Sequence, residues 1–246
     1  MSPQQKTPTP NRKRVLQLGG LLAAALVIVA VAIVISSGGA DGGSSSSGGV
    51  QGAAQTMSLI GGIPQQGITL GKPGAPVTIV EFADPQCPFC KDYTLNEMPA
   101  VVQKYVRTGK AKMELRYLTF IGPDSLTAGR VLEAAGQQGK LWEASDLLYR
   151  NQGEENSGYV TDDFLSSILD AAGADSAEAL GAAGSSAVSE QLGEAKTLAS
   201  RYAVGSTPTI LVGPTGGELK KDGESAPTAA GVGKLVDAAL AAKGGA

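Results

Sequence analysis

The residues best suited to chemistry are Cys87 and Cys90, the only two cysteines among 246 residues. Pro88 and Phe89 separate them, so that the segment reads Cys-Pro-Phe-Cys. The thiolate is the reactive form of cysteine, and the thiol pKa sets how much of it is present at neutral pH. The chemistry to consider first is therefore thiol–disulfide exchange within this pair.

The position of the proline predicts how the two sulfurs differ. Proline favours the first position of a helix, because its missing N–H would be unpaired there in any case. If a helix begins at Pro88, Cys87 is the N-cap residue and Cys90 lies one turn inward. The unpaired N–H groups of the first turn and the positive end of the helix dipole both favour a thiolate at the N-cap. The spacing thus predicts a lowered pKa for Cys87 at an exposed corner.

Two other uses of the cysteine pair are open. A structural disulfide across so short a loop would stabilise little, because the entropic contribution grows with loop length. A zinc or iron–sulfur site would need carboxylates or a second copy of the chain to complete it, because the sequence offers neither a third cysteine nor any histidine. The absence of histidine also excludes Ser-His-Asp and Cys-His catalysis. We predict a redox pair with no metal and no cofactor.

The pattern of apolar residues predicts a mixed α/β domain around the pair. A β-branched run at Val77–Ala83 is typical of a buried strand and ends just before Cys87. Residues 124–202 are rich in Ala, Leu, Glu and Gln and indicate a block of several helices. Pro99 should kink or divide the helix predicted over 91–107. Further strands are predicted at 112–118, 209–212 and 218–220, and a closing helix at 229–242.

The N-terminal part of the chain predicts a membrane anchor. Residues 1–14 are polar and basic, and residues 15–35 contain no charged side chain. At about 1.5 Å per residue, the uncharged segment can span the roughly 30 Å hydrocarbon core of a bilayer. The positive-inside rule then keeps the basic end in the cytoplasm and places everything after residue 35 outside. A cleaved signal peptide and a buried soluble helix are the alternatives.

The remaining segments complete the predicted organisation. Residues 36–56 are rich in Gly and Ser, which predicts a flexible tether, and the folded domain is predicted over 57–246. Residues 1–14 are basic although the whole chain has a formal net charge of −3, so the folded domain is acidic. An acidic domain argues against a nucleic-acid partner. We expect a single-pass protein of the cell membrane with an extracytoplasmic C-terminal domain.

Two motifs resemble those of a known family. The run Glu81–Cys90 is similar to the active-site segment of the DsbA-like thiol–disulfide oxidoreductases of the thioredoxin superfamily. Far along the chain, Gly205–Thr209 resembles the segment in which that family carries a Thr-Pro or Val-Pro dipeptide with a cis peptide bond. The resemblance covers about residues 66–242. It implies a thioredoxin-like fold with a helical insertion, here preceded by the transmembrane helix and tether.

The resemblance also implies catalytic roles. Cys87 would be the nucleophile that forms mixed disulfides with substrates, and Cys90 would be the buried resolving thiol. Glu81 occupies the position of the family's buried acid, which can pass a proton to or from the sulfur of Cys90. A half-buried carboxyl below the motif would have the raised pKa that this role needs. The alternative for Glu81 is an ordinary carboxylate at the edge of the sheet.

Substrate-binding roles follow from the same resemblance. Pro208, in cis, would lie against the active-site disulfide, and Thr207 would offer backbone groups to an extended substrate. Pro88 and Phe89 would contact the substrate beside the cysteines. The best-known strong oxidants of the family have histidine where this chain has Phe89, and the loss of that positive charge should make the couple less oxidising.

Three functions remain open. The first is an oxidase that donates its disulfide to exported proteins with cysteines and is reoxidised by a quinone-linked thiol oxidase in the membrane. The second is a reductase or isomerase that uses the same dithiol and is served by a membrane reductase. The third is a non-catalytic binding module on a thioredoxin scaffold, and the intact cysteine pair argues against it. The sequence favours the oxidase.

Overall fold

The computed structural model describes residues 49–223 and 226–244, with side chains described as far as residue 242. The predicted basic tail at 1–14, the predicted transmembrane helix at 15–35 and most of the predicted tether lie outside these residues. None of the helices in the described part of the chain is both long and apolar enough to cross a membrane.

A six-stranded sheet forms the centre of the domain. Its strands are β1 Gln65–Gln66, β2 Thr69–Leu70, β3 Val77–Ala83, β4 Ala111–Tyr117, β5 Thr209–Pro214 and β6 Lys220–Lys221. They lie side by side in the order β1-β2-β4-β3-β5-β6. β3 pairs with β4 in parallel and with β5 in antiparallel orientation. Every residue of β3 is buried, because helices cover both faces of the sheet.

The strands predicted from the sequence are present, with one shifted at the edge of the sheet. The sequence predicts the last strand over 218–220, but β6 comprises only Lys220 and Lys221, which pair with Val212 and Leu211. Both lysines are exposed, so this edge carries no apolar pattern that could fix its limits in the sequence.

Helices surround the sheet and form an insertion between β4 and β5. The first described helix is α1 Ala53–Ile60, and after β3 the chain is helical from Pro88 to Val106 as α2 Pro88–Asp92, a π-helical turn at Tyr93–Glu97, α3 Met98–Val101 and a second π-helical turn at Val102–Val106. The insertion contains α4 Pro123–Gln137, α5 Leu141–Arg150, α6 Asp162–Ala172, α7 Ser176–Ala182 and α8 Ser186–Arg201, and α9 Ala229–Gly244 closes the domain.

Pro99 divides its helix less than expected. It lies near the start of α3, directly after the first π-helical turn. A π turn changes the backbone hydrogen-bond spacing, so the proline's missing donor falls where the regular ladder is already interrupted. The helical run therefore continues past the proline to Val106.

The folded part begins earlier than the sequence predicts. α1 starts at Ala53, inside the segment predicted as tether. The hydroxyl of the buried Thr56 donates to the carboxylate of Asp146 in α5, and Arg107 donates to the carbonyl of Leu59 at 2.7 Å. These long-range polar contacts, together with the burial of Leu59 and Ile60, hold the helix against the rest of the domain.

Candidate active site

The cysteine pair lies where β3 leaves the sheet and α2 begins. Cys87 is the N-cap residue of α2, with Pro88 at the first helical position. Both cysteines are free thiols. Cys87 is only 4% exposed and Cys90 is fully buried, whereas Phe89 is 70% exposed. The sequence predicts Cys87 at an exposed corner, but Cys87 itself is covered. The exposed residue at this corner is Phe89.

Thr207 contacts the sulfur of Cys87, and it is followed by Pro208 just ahead of β5. The peptide bond between them is cis, as the family resemblance implies. The thiol of Cys87 donates to the carbonyl oxygen of Thr207 across 3.4 Å. Although about 120 residues apart in sequence, the two predicted motifs therefore meet at one sulfur atom.

The helix start and its neighbours make the two thiols electrostatically unequal. A hydrogen bond from the thiol of Cys90, together with the hydroxyl of Thr207 and the backbone N–H groups of Cys90 and Phe89, outweighs burial and lowers the pKa of Cys87 to about 6. Burial first, and then the hydrogen bond to Cys87 and its charge, raise the pKa of Cys90 well above the usual range. Cys87 is therefore the sulfur that ionises near neutral pH.

The capping hydrogen bond expected from the sequence at Cys87 is not formed. The side chain of Cys87 makes no regular capping hydrogen bond to the first turn of α2. The N–H groups of Phe89 and Cys90 nevertheless contribute to its lowered pKa, after the larger effect of the Cys90 thiol. The main source of activation is thus the second cysteine, an effect that the helix terminus alone does not predict.

Glu81 lies in the middle of the sheet rather than at its edge. It is 1% exposed, and its neighbours in register on β4 and β5 are Leu115 and Ile210. Burial raises the pKa of its carboxyl from the ordinary 4.5 to about 8. Its Oε2 atom has no hydrogen-bond partner. An uncompensated buried carboxyl of this kind holds a proton at neutral pH and can exchange it.

A groove opens beside the cysteines and has a volume of about 450 Å³. Phe89 and Tyr93 form one side of it, and the cis-proline segment forms the other. The residues that define its walls include Phe89, Tyr93, Ser206, Thr207, Pro208 and Pro227. The predicted substrate-binding residues Phe89 and Thr207 thus face one cavity, while Pro88 is exposed beside it.

Asp84 fixes the conformation of the loop before the cysteines, a role that is not predicted from the sequence. Its carboxylate is fully buried. One oxygen accepts from the N–H of Gln86 at 2.9 Å and the hydroxyl of Ser125 at 2.6 Å. The other accepts from the N–H groups of Phe120 and Ile121 at 3.0 and 3.1 Å. The sequence does contain one indication of this role, since Asp84 is a polar residue that directly follows a buried strand.

The helical insertion also forms hydrogen bonds with this loop. The hydroxyl of Tyr149 donates to the backbone carbonyl of Asp84 at 3.0 Å. The amide of Gln152 donates to the carbonyls of Pro85 at 2.9 Å and Cys87 at 3.3 Å. The insertion therefore fixes the backbone that presents the reactive sulfur, and nothing in the local sequence around residue 152 indicates this.

Metal ligands are not grouped in the described part of the chain. Within residues 49–223 and 226–244, no three or more cysteine, aspartate or glutamate side chains are placed to hold a metal ion. Among these residues, the cysteine pair thus has no acidic side chain placed with it to complete a metal site.

Comparison with known families decides where the chain belongs. The sequence profile of a family described as Thioredoxin matches residues 64–237, well over half of the chain. The chain belongs to this thioredoxin family. The match begins ahead of β1, includes both cysteines and the cis-proline segment, and ends inside α9.

Part of the chain is also similar to a named bacterial relative. The thioredoxin-family chain is 35% identical over 103 residues to a Bacillus cereus protein named "Probable disulfide bond formation protein D". The match covers 41% of this chain and 48% of that relative, so the chain spans about half the length of the relative it matches.

Solved structures confirm the fold. The oxidised BdbD from Bacillus subtilis superposes with a TM-score of 0.62 at 21% identity, covering 73% of this chain and 98% of that one. The α-DsbA1 of Wolbachia pipientis superposes with a TM-score of 0.61 at 17% identity, covering 71% and 91%. The thioredoxin-like α/β fold with a helical insertion, expected from the resemblance, is therefore confirmed.

The four hydrogen bonds that the buried carboxylate of Asp84 accepts should contribute to the stability of this thioredoxin-family domain. Replacing Asp84 with asparagine turns one acceptor oxygen into a donor that faces other donors. We expect Asp84→Asn to lower the free energy of unfolding by about 3 kcal/mol, since bonds to a buried charge are the strong ones. Urea unfolding of the reduced protein measures this. Ser125→Ala removes one of the bonds to Asp84 and the bond that the amide of Gln86 donates to the serine hydroxyl, and it should cost about 1 to 2 kcal/mol. Equal losses for both variants would contradict the role of Asp84.

Proposed function

We propose that this chain is an extracytoplasmic thiol–disulfide oxidoreductase that donates a Cys87–Cys90 disulfide to exported proteins. The observation that carries the proposal is the lowered pKa of Cys87, to about 6. A stabilised thiolate makes the reduced form of the pair more favourable and Cys87 a better leaving group. Both effects drive the transfer of the disulfide to a substrate. The named relative in Bacillus cereus supports the same class of activity.

The reaction proceeds in two exchanges. A substrate thiolate attacks the sulfur of Cys87, the bond between Cys87 and Cys90 breaks, and Cys90 leaves with the electron pair. Glu81 gives its proton to this buried sulfur, whose raised pKa favours the thiol. A second substrate thiolate then attacks the substrate sulfur in the mixed disulfide and releases Cys87 as a thiolate. The substrate is oxidised by two electrons and the cysteine pair is reduced by two.

The groove provides the place for the substrate. The carbonyl of Thr207 accepts the thiol hydrogen of Cys87 in the reduced protein, and it becomes free once Cys87 is in a disulfide. An extended substrate segment can then donate a backbone N–H to that carbonyl. Phe89, exposed at the mouth of the groove, offers an apolar surface to side chains beside the substrate cysteine.

The location and partners are part of the proposal. A segment at residues 15–35 that spans the bilayer would hold the domain outside the cytoplasm, where thiols of exported proteins become oxidised. The reduced pair must then pass its electrons to an oxidant, for which we propose a quinone-linked thiol oxidase in the same membrane. This places donor, substrate and acceptor on one side of the bilayer.

The reduction potential of the pair tests the direction of the reaction. The full-length protein in detergent micelles is equilibrated in glutathione buffers, and the reduced fraction is measured after acid quenching. We expect a potential between about −120 and −180 mV, the range of strong disulfide donors. A potential near about −270 mV would instead indicate a reductant. Phe89, in the place of a histidine, is the observation that favours this second function.

A further inference from the structure

The wall of the groove beside the cysteines carries a charge at Asp92. Of the described residues that line the groove, Asp92 is the only one with an ionisable acidic or basic side chain of the carboxylate, ammonium or guanidinium kind. The described residues around it are apolar or uncharged, among them Phe89, Pro208 and Pro227. Asp92 is also exposed. A substrate in the groove therefore meets one negative charge in this part of an otherwise uncharged wall.

The carboxylate of Asp92 has bonding capacity left for a ligand. One of its oxygens accepts from the side-chain amide of Asn96 at 2.7 Å. Within residues 49–223 and 226–242, no lysine or arginine forms an ion pair with it, whereas Asp146 is paired with Arg150 at 2.7 Å. A carboxylate offers about four lone-pair sites. Asp92 can therefore accept hydrogen bonds from a cation and keep its bond to Asn96.

Asp92 and Phe89 lie on the same face of the cysteine helix. They are three residues apart in α2, a spacing that makes side chains neighbours on a helix surface, and both are exposed and line the groove. At about 1.5 Å per residue, Asp92 lies about 7.5 Å beyond Cys87 along the helix axis. This wall of the groove thus presents the reactive sulfur first, then an aromatic ring and then a carboxylate.

An extended peptide matches this order of groups. Its residues rise about 3.3 Å each and alternate between two faces, so that side chains two positions apart lie about 6.6 Å apart on one face. When a substrate cysteine meets Cys87, the residue two positions away faces the same wall at about the level of Asp92. A lysine or arginine at that position can place its charge on the carboxylate and its aliphatic stem along the ring of Phe89.

We propose that Asp92 makes the groove select exported proteins that carry a lysine or arginine two residues from the reacting cysteine. The inference rests on the proposed function and names the class of substrate that the groove takes. An acidic residue at the same position is disfavoured, because two like charges would meet at Asp92. The contribution is that of an exposed ion pair, and it decreases as the salt concentration rises.

The test compares dithiol peptides that differ only near one cysteine. Each peptide reduces the oxidised full-length protein in detergent micelles, and acid quenching with mass spectrometry gives the second-order rate constant. Lysine, glutamine or glutamate stands two residues before the first cysteine in one set and two residues after it in another. The second cysteine follows a Gly-Ser segment in all of them. On the side that runs along α2, we expect lysine to react about three- to fivefold faster than glutamine, and glutamate more slowly.

Peptides with the lysine moved five residues away from the cysteine are the control for long-range attraction. The folded domain is acidic, so it attracts an added positive charge wherever the charge lies in the peptide. The near and distant isomers have the same charge and composition, and only the near one can reach Asp92. Equal rates for the two isomers would overturn the inference. So would a lysine preference that persists at about 1 M salt, where the Debye length is about 3 Å.

Substitutions at Asp92 test the same contact from the side of the protein. Asp92→Asn keeps the size of the side chain and should remove the preference for lysine over glutamine, and Asp92→Lys should reverse the preference towards glutamate. Asp170→Asn is the matched control, because Asp170 is an exposed aspartate of α6 that is not among the described residues lining the groove. It should leave the ratio of the lysine and glutamine rates unchanged. A lysine preference that survives in Asp92→Asn would contradict the inference.

The outcomes for the unaltered protein separate this inference from the proposed function. If none of the peptides reduces the oxidised protein, the proposed function fails. If all of them reduce it at equal rates, the proposed function stands and the role of Asp92 fails. The comparison of near and distant lysine needs no variant, so it decides the question even where Asp92→Lys does not fold.

Discussion

Replacing Cys90 with serine will trap the protein in covalent complexes with disulfide-bonded substrates, because Cys87 attacks the substrate disulfide and one substrate sulfur leaves as a thiolate. Cys87 keeps its lowered pKa only in part, because the thiol of Cys90 is the largest cause of that lowering. Its position is still nearer to the surface than the fully buried position 90. Without a resolving thiol, a mixed disulfide at Cys87 persists until an external thiol attacks it. We expect Cys90→Ser to accumulate mixed disulfides and to lose dithiol oxidation by at least about a thousandfold. Non-reducing electrophoresis and mass spectrometry measure both effects.

Cys87→Ser is the paired variant. It should lose oxidation to the same extent but form no covalent complex, because Cys90 is fully buried and its pKa is raised. Covalent complexes formed by Cys87→Ser would show that the roles of the two cysteines are reversed. If Cys87→Ser kept the full biological effect of the protein, the chain would be a binding module on a thioredoxin scaffold and not an enzyme.

The parts of the site that could be predicted from the sequence are those fixed by local chemistry. The Cys-Pro-Phe-Cys segment places a helix start at Pro88 because of what proline lacks, and β3 is indicated by its β-branched run. The Thr207–Pro208 segment is identified by resemblance, and the structure brings its carbonyl to within 3.4 Å of the Cys87 sulfur. The two segments are far apart in the sequence, so their contact cannot be read from the sequence alone.

The parts that could not be predicted depend on which residues meet in three dimensions. Asp84 is visible as a polar residue after a buried strand, but its four hydrogen bonds come from three separate segments. Gln152 lies in a loop after α5 and reaches the carbonyl of Cys87. The π-helical turn that begins at Tyr93 is also a feature that no sequence pattern here predicts.

Glu81→Gln should make the protein more stable and slower at the same time. Burial raises the pKa of Glu81 from 4.5 to about 8, so the folded protein keeps a proton that the unfolded chain releases between these pH values. The stability of the unaltered protein is therefore fully present below about pH 4.5 and is lost as the pH rises towards 8. Glutamine has no proton to lose. At pH 7 we expect Glu81→Gln to raise the free energy of unfolding by up to about 3 kcal/mol.

Urea unfolding at several pH values measures this difference, which should be near zero at pH 4.5 and largest above pH 8. Glu133→Gln is the matched control, because Glu133 is a second buried carboxyl, with its pKa raised to about 7, chiefly by burial. It too should stabilise the protein at neutral pH, but without slowing disulfide exchange. A stability difference for Glu81→Gln that does not change with pH would show that the carboxyl is compensated in the fold. In that case Glu81 would not be poised to exchange a proton with Cys90, and the slow step of the Gln variant would need another cause.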